Sequence, residues 1–320
     1  MKLLFKRRFG IPMSIFICLL VSGLVSILMF LNTAYAQGAA VVYLGEEQEA
    51  LKPLLEKDLK QIFPGAAVEF IHYQDPQARQ IIQQFNIRFL PFVFLNEGII
   101  NTPNFMALVK NGTIEKTGNL FHLSPQTLKP YGCYVIGSKK IPGQLDVYVM
   151  SFCPFWQQAL RELFDFIRNE DSGISLNIRF ITNFRDYGID SPRGPQEIKE
   201  DVRQLIIQKD YPGKLLDYIL ARQEMPFEDA FSSVGIDKAV IDAKEQEGLA
   251  MLNQDAQLSV FYGIDVSPAF LWENEHIYFS WQGFKPVLLE FAREQKEKKE
   301  EARKQEEQKT KPKKKGWFGR

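Results

Sequence analysis

The residues best suited to chemistry in this 320-residue chain are its cysteines, and there are only three, at positions 18, 133 and 153. Three cysteines do not make a disulfide scaffold. Cys153 opens the tetrapeptide CPFW, inside a stretch that predicts a strand, a turn and then a helix. A second cysteine three positions further on would complete a redox pair, but Trp156 stands there instead. The sequence therefore predicts one candidate nucleophile, Cys153, without a resolving partner in its own motif.

The predicted position of Cys153 favours the reactive form of a thiol. Unpaired amide groups and the helix dipole at a helix N-terminus both stabilise a thiolate. Pro154 fits an early helical position, where no N–H donor is needed. A single thiol can exchange with a disulfide, but an external thiol must then release it. Cys133 is the only other candidate outside the N-terminal segment, so a Cys133–Cys153 pair remains an open alternative.

Composition and motifs exclude several other kinds of site. The formal net charge is zero, which gives no reason to expect nucleic acid as a partner of the whole chain. The three histidines, His72, His122 and His276, lack ligand spacing, so we predict no metal site. No glycine-rich phosphate loop or serine-nucleophile elbow occurs, and we predict no cofactor.

The N-terminus predicts export. Basic residues precede an apolar run, residues 11–31, that is about long enough to cross a bilayer as a helix. Ala34 and Ala36 also match a signal-peptidase pattern, with cleavage before Gln37. Residues 1–38 are therefore either a cleaved signal peptide or an anchor in the inner membrane. Both alternatives place the remainder in the periplasm or another extracytoplasmic compartment.

The elements that must position the cysteine follow one plan that occurs twice. The plan is a strand, a helix, a strand, further helix and then a strand led by a proline. Its first copy has strands, helices and a proline-led hairpin at 39–44, 46–62, 66–73, 76–85 and 91–98. Its second copy has a strand, a helix, a strand, a long helix and a proline-led hairpin at 145–150, 153–170, 174–182, 248–262 and 268–281.

These elements predict five segments. After residues 1–38 come a first domain at 39–128 and a linker rich in Pro, Gly and Ser at 129–144. The second domain spans 145–292 and contains a helical insertion at about 190–250. A charged tail, 293–320, ends in basic residues; it is either a solvated helix that frays or a contact for anionic lipid or a partner.

The second domain resembles the DsbA-like thioredoxin-fold family. The resemblance is carried by VMSFCPF before a helix, by the helical insertion and by VSPAFLW around Pro268. Residues 39–128 resemble only the thioredoxin fold in general, with GEEQEA where the active-site cysteines would stand. The predicted fold class is therefore α/β, with two thioredoxin-like domains, the second carrying the insertion. We expect both Pro91 and Pro268 to follow cis peptide bonds.

The resemblance also implies roles for residues near Cys153. In the family, a proline packs beside the cysteine, and the residue before it offers backbone groups to an extended substrate. Pro268 and Ser267 match these two roles. The predicted substrate-binding residues are Ser267, Pro268, Pro154, Phe155 and Trp156, with Cys153 as the candidate catalytic nucleophile.

Three functions remain open, and so does whether the protein is an enzyme. The first is thiol-disulfide exchange through Cys153 alone. The second is non-catalytic binding or scaffolding of polypeptide by a thioredoxin-fold module. The third is a membrane-tethered assembly factor positioned by its anchor and its basic tail. The first two functions imply an extended polypeptide, or a protein bearing a thiol or disulfide, as the partner. The membrane is a further contact if residues 11–31 stay attached, and nucleic acid is not expected.

Overall fold

The computed structural model describes residues 38–102, 104–169, 173–185 and 188–310. The chain divides into two compact units, which we call the first and the second unit, with the division between Ile136 and Gly137. The predicted export segment lies outside the described residues. Within the described part, no helix is both long enough and apolar enough to span a bilayer.

In the described residues of the first unit, the chain forms seven strands and five α-helices. Strands β1 to β7 are Ala39–Leu44, Ala67–His72, Phe89–Leu90, Phe92–Leu95, Ile114–Thr117, Leu120–Leu123 and Cys133–Val135. Helices α1 to α5 are Lys52–Ile62, Pro76–Gln84, Glu97–Ile100, Phe105–Lys110 and Pro125–Leu128. Two 3₁₀ helices, Glu46–Leu51 and Lys129–Tyr131, complete the unit.

The main sheet of the first unit has the strand order β2-β1-β4-β6-β5. Strand β1 runs parallel to β2 and antiparallel to β4. Alternate side chains of these strands, such as Val42 and Val93, are fully buried and form a core with Leu55 and Leu59 of α1. The two-residue strand β3 lies outside this sheet and pairs with β7 in the antiparallel sense.

The part of the second unit that the structure describes has six strands and seven α-helices. Strands β8 to β13 are Gln144–Val149, Ser175–Phe180, Asn183–Arg185, Gly188–Asp190, Ala269–Trp272 and His276–Tyr278. Helices α6 to α12 are Pro154–Asn169, Pro195–Asp210, Leu215–Glu224, Phe227–Ser233, Lys238–Asp242, Glu245–Phe261 and Trp281–Thr310, with a 3₁₀ helix at Pro212–Lys214.

The sheet of the second unit repeats the arrangement of the first. Strand β8 runs parallel to β9 and antiparallel to β12, which in turn pairs with β13. The resulting order, β13-β12-β8-β9, matches β6-β4-β1-β2 of the first unit in order and sense. In each unit the first strand, β1 or β8, lies between two other strands, one of which is the proline-led strand β4 or β12. The turn that follows the first strand is therefore close to the proline-led strand.

The inserted helices pack on the β9 side of this sheet. The side-chain amide of Gln208 on α7 accepts from the Ile178 N–H at 2.7 Å and donates to the Ile178 carbonyl at 3.1 Å. These two bonds satisfy backbone groups of β9, which is the edge strand of this sheet among the residues that the structure describes. A Cβ on Gly248 of α11 would lie 2.6 Å from a methyl group of Val202, so glycine permits the close approach of α7 and α11.

Several predicted elements differ from the structure. The residues after β4 do not form a hairpin, because the Asn96 side chain accepts from the Ala39 N–H at 2.8 Å and helix α3 begins at once. The segment 129–144, predicted to be a linker, contains a 3₁₀ helix and strand β7. The peptide bonds before Pro91 and Pro268 are both cis, as predicted.

Candidate functional site

Cys153 lies between strand β8 and helix α6. Its N–H donates to the Met150 carbonyl at 2.9 Å, which closes the turn after the strand. Its carbonyl accepts from the Gln157 N–H at 3.2 Å, which is the first backbone bond of the helix. Cys153 is therefore the residue immediately before the first helical turn, as the sequence predicted.

Two hydrogen bonds join the cysteine turn to the segment that precedes Pro268. The Cys153 thiol donates to the Ser267 carbonyl at 3.3 Å. In the same direction, the Met150 N–H donates to the Ser267 hydroxyl at 2.9 Å, so Ser267 is the acceptor of both bonds. Cys153 is 3% exposed, Ser267 is half-buried and Pro268 is buried. The structure thus brings Cys153, Ser267 and Pro268 together, in agreement with their predicted proximity.

The aromatic residues of CPFW point in different directions. Pro154 is exposed, and Phe155 is 70% exposed, so both are accessible to a partner. Trp156 is 1% exposed and packs edge-to-face against Phe164, with ring centroids 6.3 Å apart. We correct the prediction that Trp156 contacts substrate, because its side chain is enclosed by the core of the second unit.

A carboxylate of helix α7, that of Glu197, is hydrogen-bonded to the backbone of the cysteine turn. The Phe152 N–H donates to Oε1 of Glu197 at 2.8 Å. The other oxygen of Glu197 accepts from the Ser191 hydroxyl. Glu197 is completely buried, so both of its oxygens are committed to these partners within the protein interior. This carboxylate fixes the backbone immediately before Cys153.

Asp201 lies one turn further along α7 and is wholly buried. Neither carboxylate oxygen of Asp201 makes a hydrogen bond of standard geometry among the described residues, and neither does the Ser151 hydroxyl, although Ser151 lies close enough to interact with the carboxylate. Burial raises the pKa of Asp201 well above its usual value, the carboxylates of Glu197 and Glu200 raise it further, and Ser151 partly opposes the shift. The site therefore favours the neutral, protonated form of Asp201.

These acidic residues were not predicted from the sequence. Glu197 and Asp201 are four residues apart, so a helix places them on one face. That spacing, among apolar residues such as Val202 and Leu205, was the available signal for a buried acidic pair. Nothing in the sequence shows that this face meets the Cys153 turn, because the contact depends on how the insertion docks.

Cys133 has a different environment from Cys153. It lies in β7 of the first unit, and both cysteines are free thiols. Burial raises the pKa of Cys133 to about 12, with Lys129 opposing the shift. Because the thiolate is the nucleophilic form, Cys133 in this state is poorly suited to attack a disulfide.

The chain is similar to several solved structures, although it matches no family model. No family model and no curated protein matches the chain. The chain is similar to a periplasmic thioredoxin-like protein from Salmonella enterica serovar Typhimurium, with 16% identity, a TM-score of 0.37, and coverage of 48% of this chain and 90% of that one. It is also similar to the thiol-disulfide exchange protein alpha-DsbA2 from Wolbachia pipientis, with 13% identity, a TM-score of 0.35, and coverage of 46% and 80%.

A third similar structure, ScsC from Proteus mirabilis, is matched over 78% of this chain and 100% of its own, with 15% identity and a TM-score of 0.34. The similar structures are DsbA-like and other thioredoxin-like proteins, which is the class that the motifs around Cys153 resemble. At these identities and scores the likeness carries no argument about activity.

Proposed function

We propose that this protein is an exported, DsbA-like thioredoxin-fold protein that exchanges disulfides through Cys153 alone. In this proposal residues 39–128 and 145–292 are two thioredoxin-like domains, and only the second carries a reactive thiol. Export through residues 1–38 places the thiol in an oxidising compartment, where substrates with disulfides occur.

The observation that carries the proposal is the hydrogen bond from Cys153 to the Ser267 carbonyl, 3.3 Å long. This bond supports the proposal because the Ser267 backbone beside the thiol would pair with an extended polypeptide. A substrate strand lying against Ser267 would therefore bring its disulfide to the sulfur at the start of α6. Phe155, exposed in the same turn, adds apolar surface for the substrate chain.

The proposed reaction is a single thiol-disulfide exchange. The Cys153 thiol first loses its proton, and the thiolate sulfur attacks one sulfur of the substrate disulfide. A new disulfide forms between Cys153 and the substrate, while the other substrate sulfur leaves as a thiolate and takes up a proton. Release needs a second thiolate, from a small thiol such as glutathione or from another protein.

The test is to trap this adduct. The full-length protein is incubated with a peptide carrying a disulfide to glutathione, quenched with acid and analysed by non-reducing electrophoresis and peptide mass spectrometry. We expect a persistent mixed disulfide on Cys153, present in Cys133→Ser and absent in Cys153→Ser. A folded wild-type protein that forms no adduct would contradict the exchange function.

A second candidate function is polypeptide binding without covalent chemistry. It is favoured by the burial of Cys153, whose thiol is enclosed and acts as a donor, next to the exposed Phe155. This function predicts that a reduced, thiol-free extended peptide binds wild type and Cys153→Ser equally, and binds Phe155→Ser more weakly. Fluorescence anisotropy of a labelled peptide measures this difference.

A further inference from the structure

The two units place different residues at one equivalent position. In the second unit, strand β8 ends at Val149, and Cys153, four residues later, bonds to the carbonyl before Pro268. In the first unit, strand β1 ends at Leu44, and Gln48 is the fourth residue after it.

Gln48 is buried, and its side-chain amide donates to the Leu90 carbonyl at 2.9 Å; Leu90 is the residue before Pro91. Gln48 therefore stands in the first unit where Cys153 stands in the second.

The strand that precedes Pro91 is already paired with another segment of the same chain. Strand β7 runs antiparallel to β3, with Tyr134 opposite Leu90. The Ile136 N–H extends the pairing by donating to the Arg88 carbonyl at 2.9 Å. An extended segment thus lies along the edge of the first unit that corresponds to the edge beside Ser267 in the second.

Tyr134 also covers the turn that follows β1. Its ring lies 5.8 Å from that of Tyr73, measured between centroids. A Cβ on Gly45, the first residue of the turn, would be 3.6 Å from the Tyr134 ring. Strand β7 therefore contacts both the turn that holds Gln48 and the segment before Pro91.

The register of this pairing places a thiol at a particular point. Since Leu90 lies opposite Tyr134, continuing the antiparallel register by one residue puts Cys133 opposite Pro91. Cys133 is half-buried there. Cys133 therefore lies next to the residue that pairs with Leu90, whose carbonyl accepts the hydrogen bond from Gln48.

We propose that strand β7 occupies the polypeptide-binding edge of the first unit as a ligand supplied by the same chain. In this arrangement Cys133 lies where the thiol of a bound substrate would lie. Gln48 lies where the nucleophilic thiol would lie. The first unit then takes no partner polypeptide at this edge. A partner binds instead beside Ser267, in a segment that joins none of the strand pairings described within the second unit. The proposal rests on the proposed function only in treating that segment as a polypeptide-binding edge, and it does not need Cys153 to react.

The test restores a thiol at the equivalent position. Gln48→Cys is made in the full-length chain with Cys18→Ser and Cys153→Ser, and the protein is treated with oxidised glutathione. Two thiols lose their hydrogens and form one disulfide, while oxidised glutathione accepts both electrons and both protons and leaves as two glutathione molecules. We expect an intramolecular disulfide between the introduced thiol and Cys133 in most of the protein, identified by peptide mass spectrometry.

The matched control is Glu46→Cys in the same background, because Glu46 is exposed in the same turn. This control is expected to collect a glutathione adduct without linking to Cys133. A folded Gln48→Cys protein in which Cys133 stays unlinked would overturn the proposal.

A second measurement applies if Gln48→Cys does not fold. In the chain with only Cys18→Ser and Cys153→Ser, Cys133 is alkylated with iodoacetamide under native conditions. We expect labelling at least tenfold slower than in the urea-unfolded chain, and faster labelling after Ile136→Pro, which removes the donor to Arg88. Labelling of the native chain at the unfolded rate would overturn the proposal. Because Cys153 is absent throughout, neither result bears on the exchange function.

Discussion

Trp156 fills the position from which a second thiol would act on Cys153. It lies one helical turn after the cysteine and is 1% exposed, packed against Phe164. An aromatic side chain of this size contributes several kcal/mol through burial. The position therefore serves the packing of α6, and any disulfide formed at Cys153 has no resolving group on its own helix.

Replacing Trp156 with cysteine should convert the site from one thiol to two. We expect Trp156→Cys to shorten the lifetime of the Cys153 adduct, and to lose about 3 kcal/mol of stability because a large buried side chain is removed. Quenched time points give the adduct lifetime, and urea unfolding gives the stability. Trp156→Ala controls for the cavity, so an equal shortening in both variants would contradict the resolving role.

Asp201 should make stability depend on pH. Its pKa is raised in the folded protein, so the folded state holds a proton that the unfolded chain loses at about pH 4. Stability should therefore fall as pH rises from about 4 towards the folded pKa, and then level off. We expect Asp201→Asn to lose less stability over this range and to be the more stable protein at pH 7 to 8.

Urea unfolding of both proteins between pH 4 and 8 measures this difference. Asp255, whose pKa burial raises to about 6, contributes the same pH dependence to both proteins and cancels in the comparison. Parallel stability profiles for wild type and Asp201→Asn would show that Asp201 does not titrate differently on folding.

At the scale of elements, one arginine joins two strands and a helix in the second unit. Arg179 of β9 bonds to Asp146 of β8 at 3.1 Å and to Asp255 of α11 at 2.9 Å. Asp255 also accepts from the Phe180 N–H at 3.1 Å. Both aspartates are buried, so the arginine compensates two carboxylates that water does not reach.

Removing this arginine should be strongly destabilising. We expect Arg179→Met to cost about 3 kcal/mol at pH 8, because two buried carboxylates lose their counter-ion. The cost should shrink at pH 5, where protonation relieves the uncompensated charge. The matched control is Lys209→Met, which breaks only an exposed pair with Glu247 and should change stability by about 0.5 kcal/mol or less. Equal effects of the two substitutions would contradict this account.

The sequence predicted the regular elements well and their contacts poorly. Strand β1 and helix α11 lie close to their predicted positions because apolar periodicity and flanking turn residues mark them. Helix α12 begins at Trp281, within the last segment predicted to be a hairpin, because the Ser280 hydroxyl accepts from the Gly283 N–H and caps the first helical turn. That cap requires a side-chain orientation that periodicity does not report.

The candidate site was partly predictable for the same reason. Cys153, Ser267 and Pro268 belong to motifs, and the structure places them together. Phe155 and Trp156 are neighbours of similar character, and only the direction of each side chain on α6 separates an exposed ring from a core ring. Glu197 and Asp201 reach the site from a distant segment, which no local pattern of the sequence connects to it.

At the scale of the whole molecule, the export segment makes a topological prediction. A reporter that fluoresces only in the cytoplasm is fused after residue 320, and we expect a dark fusion protein because the proposed export would carry the reporter out of the cytoplasm. The matched control lacks residues 1–38 and should be bright at equal expression. A bright full-length fusion would contradict export.

The bond from the Phe152 amide to Glu197 has a consequence for protein engineering. A redox motif transplanted from another protein would need an amide in the same place to keep its anchor on α7. Conversely, a variant trimmed of the inserted helices would leave that amide without its acceptor. A chimaera made from this chain should therefore include both the cysteine turn and helix α7, so that the hydrogen bond between them is kept.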